Sequence, residues 1–319
     1  MSLLLGSCGD ELQQAPLIPQ ITPEELGPRP TDGELCPAGA AAEGATIRAV
    51  FLAQSHVQRP DDPYFRLTAG RDALLKVHVV APGAPAAPPL RAILRIGGES
   101  MELCMSGPST LPESVESRPG LVEHSFDDSF TVNIPGEWIR RGLSIGVAAG
   151  DTAVLFEDIN IGAPSRVVMN MIDIRFFDED AAEDYTDGWE EEIANHWPVT
   201  GLEVRRSAEV IFPEVVLPPD CGSDRPPTRL TREMWDDGEQ STAAVWNGAL
   251  RAASGSRGRH SLYYVNIYGV PSGGQAGGFG GVGNGKQVGI LHHELGHAMS
   301  LPHWGNNADY PYRNGMHGV

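Results

Sequence analysis

Two histidines four residues apart flank a glutamate in His293-Glu294-Leu295-Gly296-His297, and a further histidine, His303, follows six positions on. Apolar Val288, Leu291, Leu295 and Met299 recur at spacings of three and four, which predicts an amphipathic helix through this stretch. One turn apart on that helix, His293 and His297 share a face, so both imidazoles reach one cation. Zn²⁺ takes such nitrogens at about 2.0–2.1 Å, and a catalytic site holds it by three protein ligands and leaves the fourth position to water. The ion lowers that water's pKa toward about 7. Glu294, beside the ligands, is placed to accept the water's proton as it attacks a carbonyl. The chemistry this implies is peptide hydrolysis.

The class of site turns on the third ligand. No glutamate occurs between His297 and Val319, which excludes within this chain an arrangement that takes a downstream glutamate. Asp309 keeps an aspartate-based arrangement open. His303 has the better spacing, because Pro302 restricts Leu301 to extended backbone and ends the helix, letting the chain turn back and present the ring. The pattern resembles the metzincin signature, His-Glu-x-x-His-x-x-Gly-x-x-His. Ser300 stands where the signature has glycine, and a non-glycine residue adopts a left-handed turn only at some cost.

The 319 residues are enough for two domains with cores of their own. A net charge of −19 argues against electrostatic capture of nucleic acid or of an anionic membrane and reads as solubility. Four cysteines, Cys8, Cys36, Cys104 and Cys221, are too few for a disulfide scaffold and match no zinc-finger spacing. Leu5-Gly6-Ser7-Cys8 looks like a bacterial lipobox, whose cysteine carries a lipid anchor; if so, three cysteines remain, of which two could pair. The apolar run before it is short and lacks a basic start, so either the true start lies upstream or the match is accidental. No other segment approaches the roughly 20 apolar residues of a membrane span, so the expected membrane contact is the anchor alone.

Residues 9–44, rich in Pro, Gly, Glu and Ala, read as an exported linker, making 1–44 a lipobox-like start followed by disorder. From Ala45, short runs dense in β-formers follow: Thr46 to Leu52, Ala73 to Val80, Leu90 to Ile96, Phe130 to Ile134 and Leu143 to Val147. Pro and Gly clusters separate them, which predicts a β-sandwich over 45–163. The unit over 164–319 opens with a strand, Val167 to Phe177. An acidic run from Asp178 to Asp184 and on through Glu192 lacks the order of a calcium loop and reads as a solvated face. Leu202 to Arg205 and Glu209 to Phe212 read as strands. Ser241 to Ala253 reads as a helix stopped by Gly255, and His260 to Tyr268 as the strongest strand.

Between that strand and the histidine helix, Gly269 to Gly289 contains two nucleotide-site patterns, Gly278-x-Gly280-x-x-Gly283 and Gly280 to Lys286. Both fail on context: no buried strand precedes the glycines, Gln287 replaces the Ser or Thr that would hold Mg²⁺, and the helix that follows carries metal ligands. The glycines predict a mobile loop over a cleft.

Several stretches together resemble the StcE-type secreted metalloproteases of bacteria, the ToxR-activated-gene lipoprotein family in the metzincin clan. They are Phe51 to Ser55, Leu67 to Arg71 with Leu74 and Leu75, Ile134 to Ile139 with Gly142 and Leu143, Ile172 to Ile174, the glycine-rich stretch and the histidine helix. The resemblance implies an α+β chain: an N-terminal β-sandwich, then a metzincin-like protease domain of mixed sheet and active-site helix. It makes His293, His297 and His303 zinc ligands and Glu294 the general base, with Trp304 just after the third ligand. In metzincins the strand before the zinc helix lines the cleft, so Tyr263 to Tyr268 is expected to take an extended peptide on its edge. Met316 is the candidate for the methionine turn beneath the metal, and the stop at Val319 is read as truncation of the lower half of the cleft. The resemblance further implies a secreted or surface-tethered enzyme cutting O-glycosylated, mucin-type proteins. Two other classes stay open: an adhesin whose sandwich binds glycoprotein over a vestigial or structural metal site, and a hydrolase of a non-peptide bond.

Overall fold

The computed structural model describes residues 18–30, 35–37, 39, 42–115, 117–118, 121–122, 126–176, 185–207, 209–212, 214–217, 226–236, 242–253, 261–267 and 273–301. They are mostly β with few helices, an α+β arrangement, and form two compact units that part between Pro164 and Ser165. Cys8, Cys221, the acidic run 178–184, His303, Trp304, Asp309 and Met316 lie outside the described residues.

The first unit holds two four-stranded antiparallel sheets. In one, β1 (Thr46–Ala53) pairs with β2 (Val57–Gln58) and with β3 (Ala73–Val80), and β3 pairs on to the strand Phe130–Ile134. In the other, β4 (Leu90–Ile96) lies between β5 (Glu99–Met105) and Ser144–Ala149, which continues into Thr152–Phe156. Side chains alternate across each strand, so Leu75, Val77 and Val79 of β3 meet Leu90, Ala92 and Leu94 of β4 in one core cluster. Each such side chain contributes about 1.5–3 kcal/mol by leaving water. The other face of β3 carries Lys76 and His78, both buried. Lys76 Nζ stands 4.1 Å from the centre of the Phe126 ring, a cation–π contact.

Residues 18–30, expected within a disordered linker, instead pack on this unit. Ile18 and Leu26 are buried, Ile21 forms an antiparallel bridge to Ala153, and Gln20 bonds both the N–H and the C=O of Ile47. Arg29 forks onto the buried Glu102 carboxylate, Nε at 2.8 Å, and the Cys36 N–H donates to the same group at 2.9 Å. Burial pushes Glu102 up, but the Arg29 and Cys36 hydrogen bonds outweigh it and hold the carboxyl below its usual range. A disulfide, Cys36–Cys104, ties the segment to β5. Composition favoured a linker because the few apolar residues here are widely spaced; partners distant in sequence order it.

The second unit is built on a mixed sheet. Its strands are β6 (Arg166–Phe176), β7 (Gly201–Arg206), β8 (Val210–Phe212), β9 (Ser261–Ile267), β10 (Gly274–Gly277) and β11 (Gly280–Gly283). The order is β7, β6, β9, β11, β10, with β8 also on β6; every pairing is parallel except β10 to β11. Two expectations change here. The glycine-rich stretch is a β-hairpin, and all four residues of β11 are buried, where a mobile loop was predicted. Strand β9 has no free edge, because Met171 of β6 pairs with Tyr264 on one side and Val282 of β11 with Val265 on the other. The edge of the sheet on that side, among the described residues, is β10. The unit also carries helices α1 (Trp189–His196), α2 (Thr242–Ala253) and α3 (Val288–Ala298), besides the short helix Arg232–Asp236 and the paired strands Val216–Leu217 and Thr228–Arg229.

Candidate active site

Helix α3 carries the histidine pair, and its apolar stripe fixes which way the pair faces. Val288, Leu291, Leu295 and Ala298 are buried at spacings of three and four, packed with Met169, Met171, Leu262, Tyr264, Trp189 and Trp197. The chain enters the helix through a polar clamp. Buried Asn266 accepts from the Gly285 N–H at 2.7 Å and donates to Asp173 Oδ1 at 3.2 Å, and Tyr185 donates to the same oxygen at 3.0 Å. At the other end, Ser300 takes the left-handed conformation, φ 69°, and the Leu301 N–H reaches back to Gly296 O at 3.0 Å. That is a Schellman-type stop, so serine makes the turn for which glycine is the usual residue.

His293 Nε2 and His297 Nε2 face one another at 3.1 Å, with the rings near perpendicular at 86°. Two nitrogens bound to a tetrahedral zinc at about 2.0–2.1 Å would stand roughly 3.3 Å apart, so the pair is set at ligand spacing. His297 Nδ1 lies 2.7 Å from Leu301 O. Only an N–H can bond that carbonyl, which places the proton on Nδ1 and leaves the Nε2 lone pair for a metal. The donor set therefore fits zinc at these two positions; His303, expected as the third ligand, lies outside the described residues.

Glu294 is buried, 5% exposed, beneath the glycine hairpin. A Cβ at Gly274 would stand 2.6 Å from Glu294 Cγ and 2.9 Å from its Oε1, and one at Gly281 would stand 2.9 Å from Glu294 Cβ. Glycine is therefore required at both places: Val282 O and the Glu294 side chain crowd Gly274, and the Glu294 stem crowds Gly281. The sequence pattern alone predicted a loop there because glycine carries no hydrophobic periodicity; the contact that explains it is tertiary.

On the opposite side of α3, His292 meets α1. Glu192, His196 and His292 offer ligand atoms within 4.8 Å of one another, a group able to hold a metal ion. The Trp197 indole N–H donates to His292 Nδ1 at 3.0 Å, so the neutral ring carries its proton on Nε2, 3.9 Å from Glu192 Oε1. Ligation through that Nε2 would need Trp197 to release the ring. Sequence reasoning missed His292, Trp197 and Tyr264; the one available signal was the doubled histidine before Glu294.

Residues 122–318, more than half of the chain, match the family described as Peptidase M66. The chain is 26% identical over 275 residues to Dictomallein of Burkholderia pseudomallei (strain K96243), covering 77% of this chain and 39% of that protein. It is 25% identical over 244 residues to Dictomallein-1 of Dictyostelium discoideum, covering 67% of this chain and 39% of that protein. The chain thus spans well under half the length of these curated relatives. Among solved structures, the C-terminal domain of wzt aligns at 12% identity over 42% of this chain and 82% of that one, with a TM-score of 0.24. That score is too low to bear on the fold. The matched residues run through the sheet of the second unit and the helix that sets His293 against His297: the chain belongs to Peptidase M66, a metallopeptidase family.

Proposed function

We propose that this chain is a metzincin-type zinc endopeptidase in which His293, His297 and His303 hold the metal and Glu294 is the general base. The observation that carries the reading is the pair of Nε2 atoms at 3.1 Å beside a buried carboxylate. Zinc, when bound, would acidify its water and polarise the scissile carbonyl. Glu294 takes the proton of the attacking water and returns it to the leaving amine. The antiparallel strand β10, the edge of the sheet among the described residues, is where an extended substrate would add, and its Gly274 lies against Glu294, so a peptide added there runs past the base. The buried, intact Glu294 counts against the adhesin reading, since a vestigial or structural metal site has no use for a base.

The natural substrate in this reading is a densely O-glycosylated, mucin-type protein, on the strength of the family resemblance. The Cys36–Cys104 disulfide supports export to an oxidising compartment, either free or tethered through Cys8. Glu294→Gln should keep stoichiometric zinc and the fold while lowering hydrolysis by about 10²-fold or more, because an amide cannot take the proton. Activity within a few-fold of wild type would remove Glu294 from its role. Equal or faster cutting of a deglycosylated mucin would leave a general peptidase and remove the mucin assignment.

A further inference from the structure

The hairpin that borders Glu294 ends in a turn with no part in the chemistry so far. Between β10 and β11 the chain reverses on two residues, Gly278 at φ 56° and Phe279 at φ 72°. Positive φ at both central positions suits the twist of the flanking strands, and asparagine or glycine normally supplies it. Phe279 is strained there, because a bulky side chain in the left-handed region crowds its own backbone. Burial does not offset that strain, since Phe279 is 59% exposed. Its backbone is held all the same: Phe279 O accepts from the Tyr263 N–H of β9 at 3.2 Å, and Gly277 pairs with Gly280. A strained aromatic residue, fixed in place yet left to solvent beside a cleft, points to a use outside the fold.

The register of the hairpin on α3 fixes where that residue stands. A Cβ at Gly283 would lie 2.8 Å from Ile290 Cγ2 and one at Gly281 2.9 Å from Glu294 Cβ, so two residues back along β11 is one turn onward along the helix. Two more residues back reach Phe279, level with the last turn of α3, which carries His297. From Gly274, which borders Glu294, the far end of β10 at Gly277 lies three residues out, about 10 Å at the rise of a strand. Little else on the hairpin could meet a ligand: a Cβ at Gly277 would find nothing within 4 Å, Val282 is buried, and no charged residue occurs from Gly269 to Gly285. We propose that Phe279 is a specificity-determining residue that receives a large apolar side chain of the substrate, about three residues from the scissile bond. The inference rests on the peptidase reading and on an extended substrate adding to β10. Antiparallel addition, the more stable pairing, runs the peptide from the tip toward the base and puts the recognised side chain on the N-terminal side of the cut. With no charge on the hairpin, the ring supplies contact area, which favours an aliphatic or aromatic side chain over a small or acidic one.

Phe279→Gly tests this without endangering the turn, because glycine relieves the strain and keeps the conformation. The probes are two mucin-type peptides with the same O-glycosylation, differing only in Leu or Ala at the third residue before the cut, which mass spectrometry locates. The zinc-loaded wild-type enzyme should favour the Leu peptide by about tenfold in kcat/KM, carried mainly by KM. Phe279→Gly should bring the Leu peptide down to within about twofold of the Ala peptide, and Phe279→Trp should keep the preference. Binding of the same uncut pair to Glu294→Gln should show the difference too, and lose it when Phe279→Gly is added. A wild-type enzyme indifferent to Leu and Ala, or a preference that survives Phe279→Gly, overturns the proposal. An equal loss on both peptides also overturns it, since the ring would then contact something they share, such as the sugar. The two readings fail separately: a zinc-loaded enzyme that cuts neither peptide sinks the peptidase reading, whereas one that cuts both equally well sinks only the role of Phe279.

Discussion

His292 and His297, on one helix, hold their protons in opposite ways. His292 accepts at Nδ1 from Trp197 at 3.0 Å and so carries its hydrogen on Nε2. His293 turns to the other side, where its Nε2 faces Nε2 of His297 at 3.1 Å, and His297 gives its own hydrogen to Leu301 O at 2.7 Å. Residue type is the same in each case. What differs is the neighbour: an indole N–H makes the ring an acceptor at Nδ1, and a carbonyl makes it a donor there, freeing Nε2. Helical spacing sets which histidines share a face, and the tertiary partner sets which ring nitrogen each of His292 and His297 leaves free.

Removing one ring at a time is the strongest way to break this contrast. His293→Ala or His297→Ala should abolish zinc binding and lower hydrolysis by more than about 10²-fold, read by elemental analysis and by turnover. His292→Ala should keep zinc at the His293 and His297 pair and keep turnover within a few-fold. Its cost is stability, about 1 kcal/mol for the lost Trp197 bond, seen as a thermal midpoint lower by roughly 2–4 °C. Loss of a second equivalent of zinc in His292→Ala would instead make the Glu192, His196 and His292 group an occupied metal site.

His78 sharpens the comparison with a ring held neutral by burial. Its pKa is lowered to about 4, chiefly by desolvation and then by the charge of Lys76. An unfolded histidine titrates near 6.5, so between the two values the unfolded state binds the extra proton. The contribution of His78 is thus complete above about pH 6.5 and is lost as pH falls toward about 4, up to roughly 3 kcal/mol across the window. Urea unfolding at pH 7 and pH 4.5 should show the loss in the wild-type protein and a flatter profile in His78→Leu. An unchanged slope would assign the acid sensitivity to other groups.

The smallest effect is expected at the turn that ends the ligand helix. Ser300 sits at φ 69°, where a Cβ is strained, so Ser300→Gly should raise stability by about 0.5–1 kcal/mol and leave zinc affinity unchanged. A lower thermal midpoint would show that the serine side chain makes a stabilising contact there.

Much of the second unit was legible in order along the chain. The spacing of Val288, Leu291 and Leu295 predicted α3, and β-rich runs marked β6, β7, β8 and β9 within a residue or two of their observed limits. The role of the glycines was not legible. Gly274, Gly281 and Gly283 carry no periodic signal, and they read as a loop because the thing that demands them, a helix bearing Glu294 against the hairpin, is distant in the pattern. The same holds for residues 18–30, whose anchors at Ala153 and Glu102 lie more than 70 residues away.

By itself the sequence determined the helix, the pairing of His293 with His297 on one face, and the presence of Glu294 between them, because these depend on a spacing of one helical turn and on side-chain chemistry. Only the tertiary structure decided that β9 is interior and β10 the edge, that the Trp197 indole holds His292, that Cys36 joins Cys104, and that the Tyr264 ring lies beside the stem of Glu294. Strand order, tautomer and burial are set by groups far apart in the chain, and local propensity carries no information about which of them will meet.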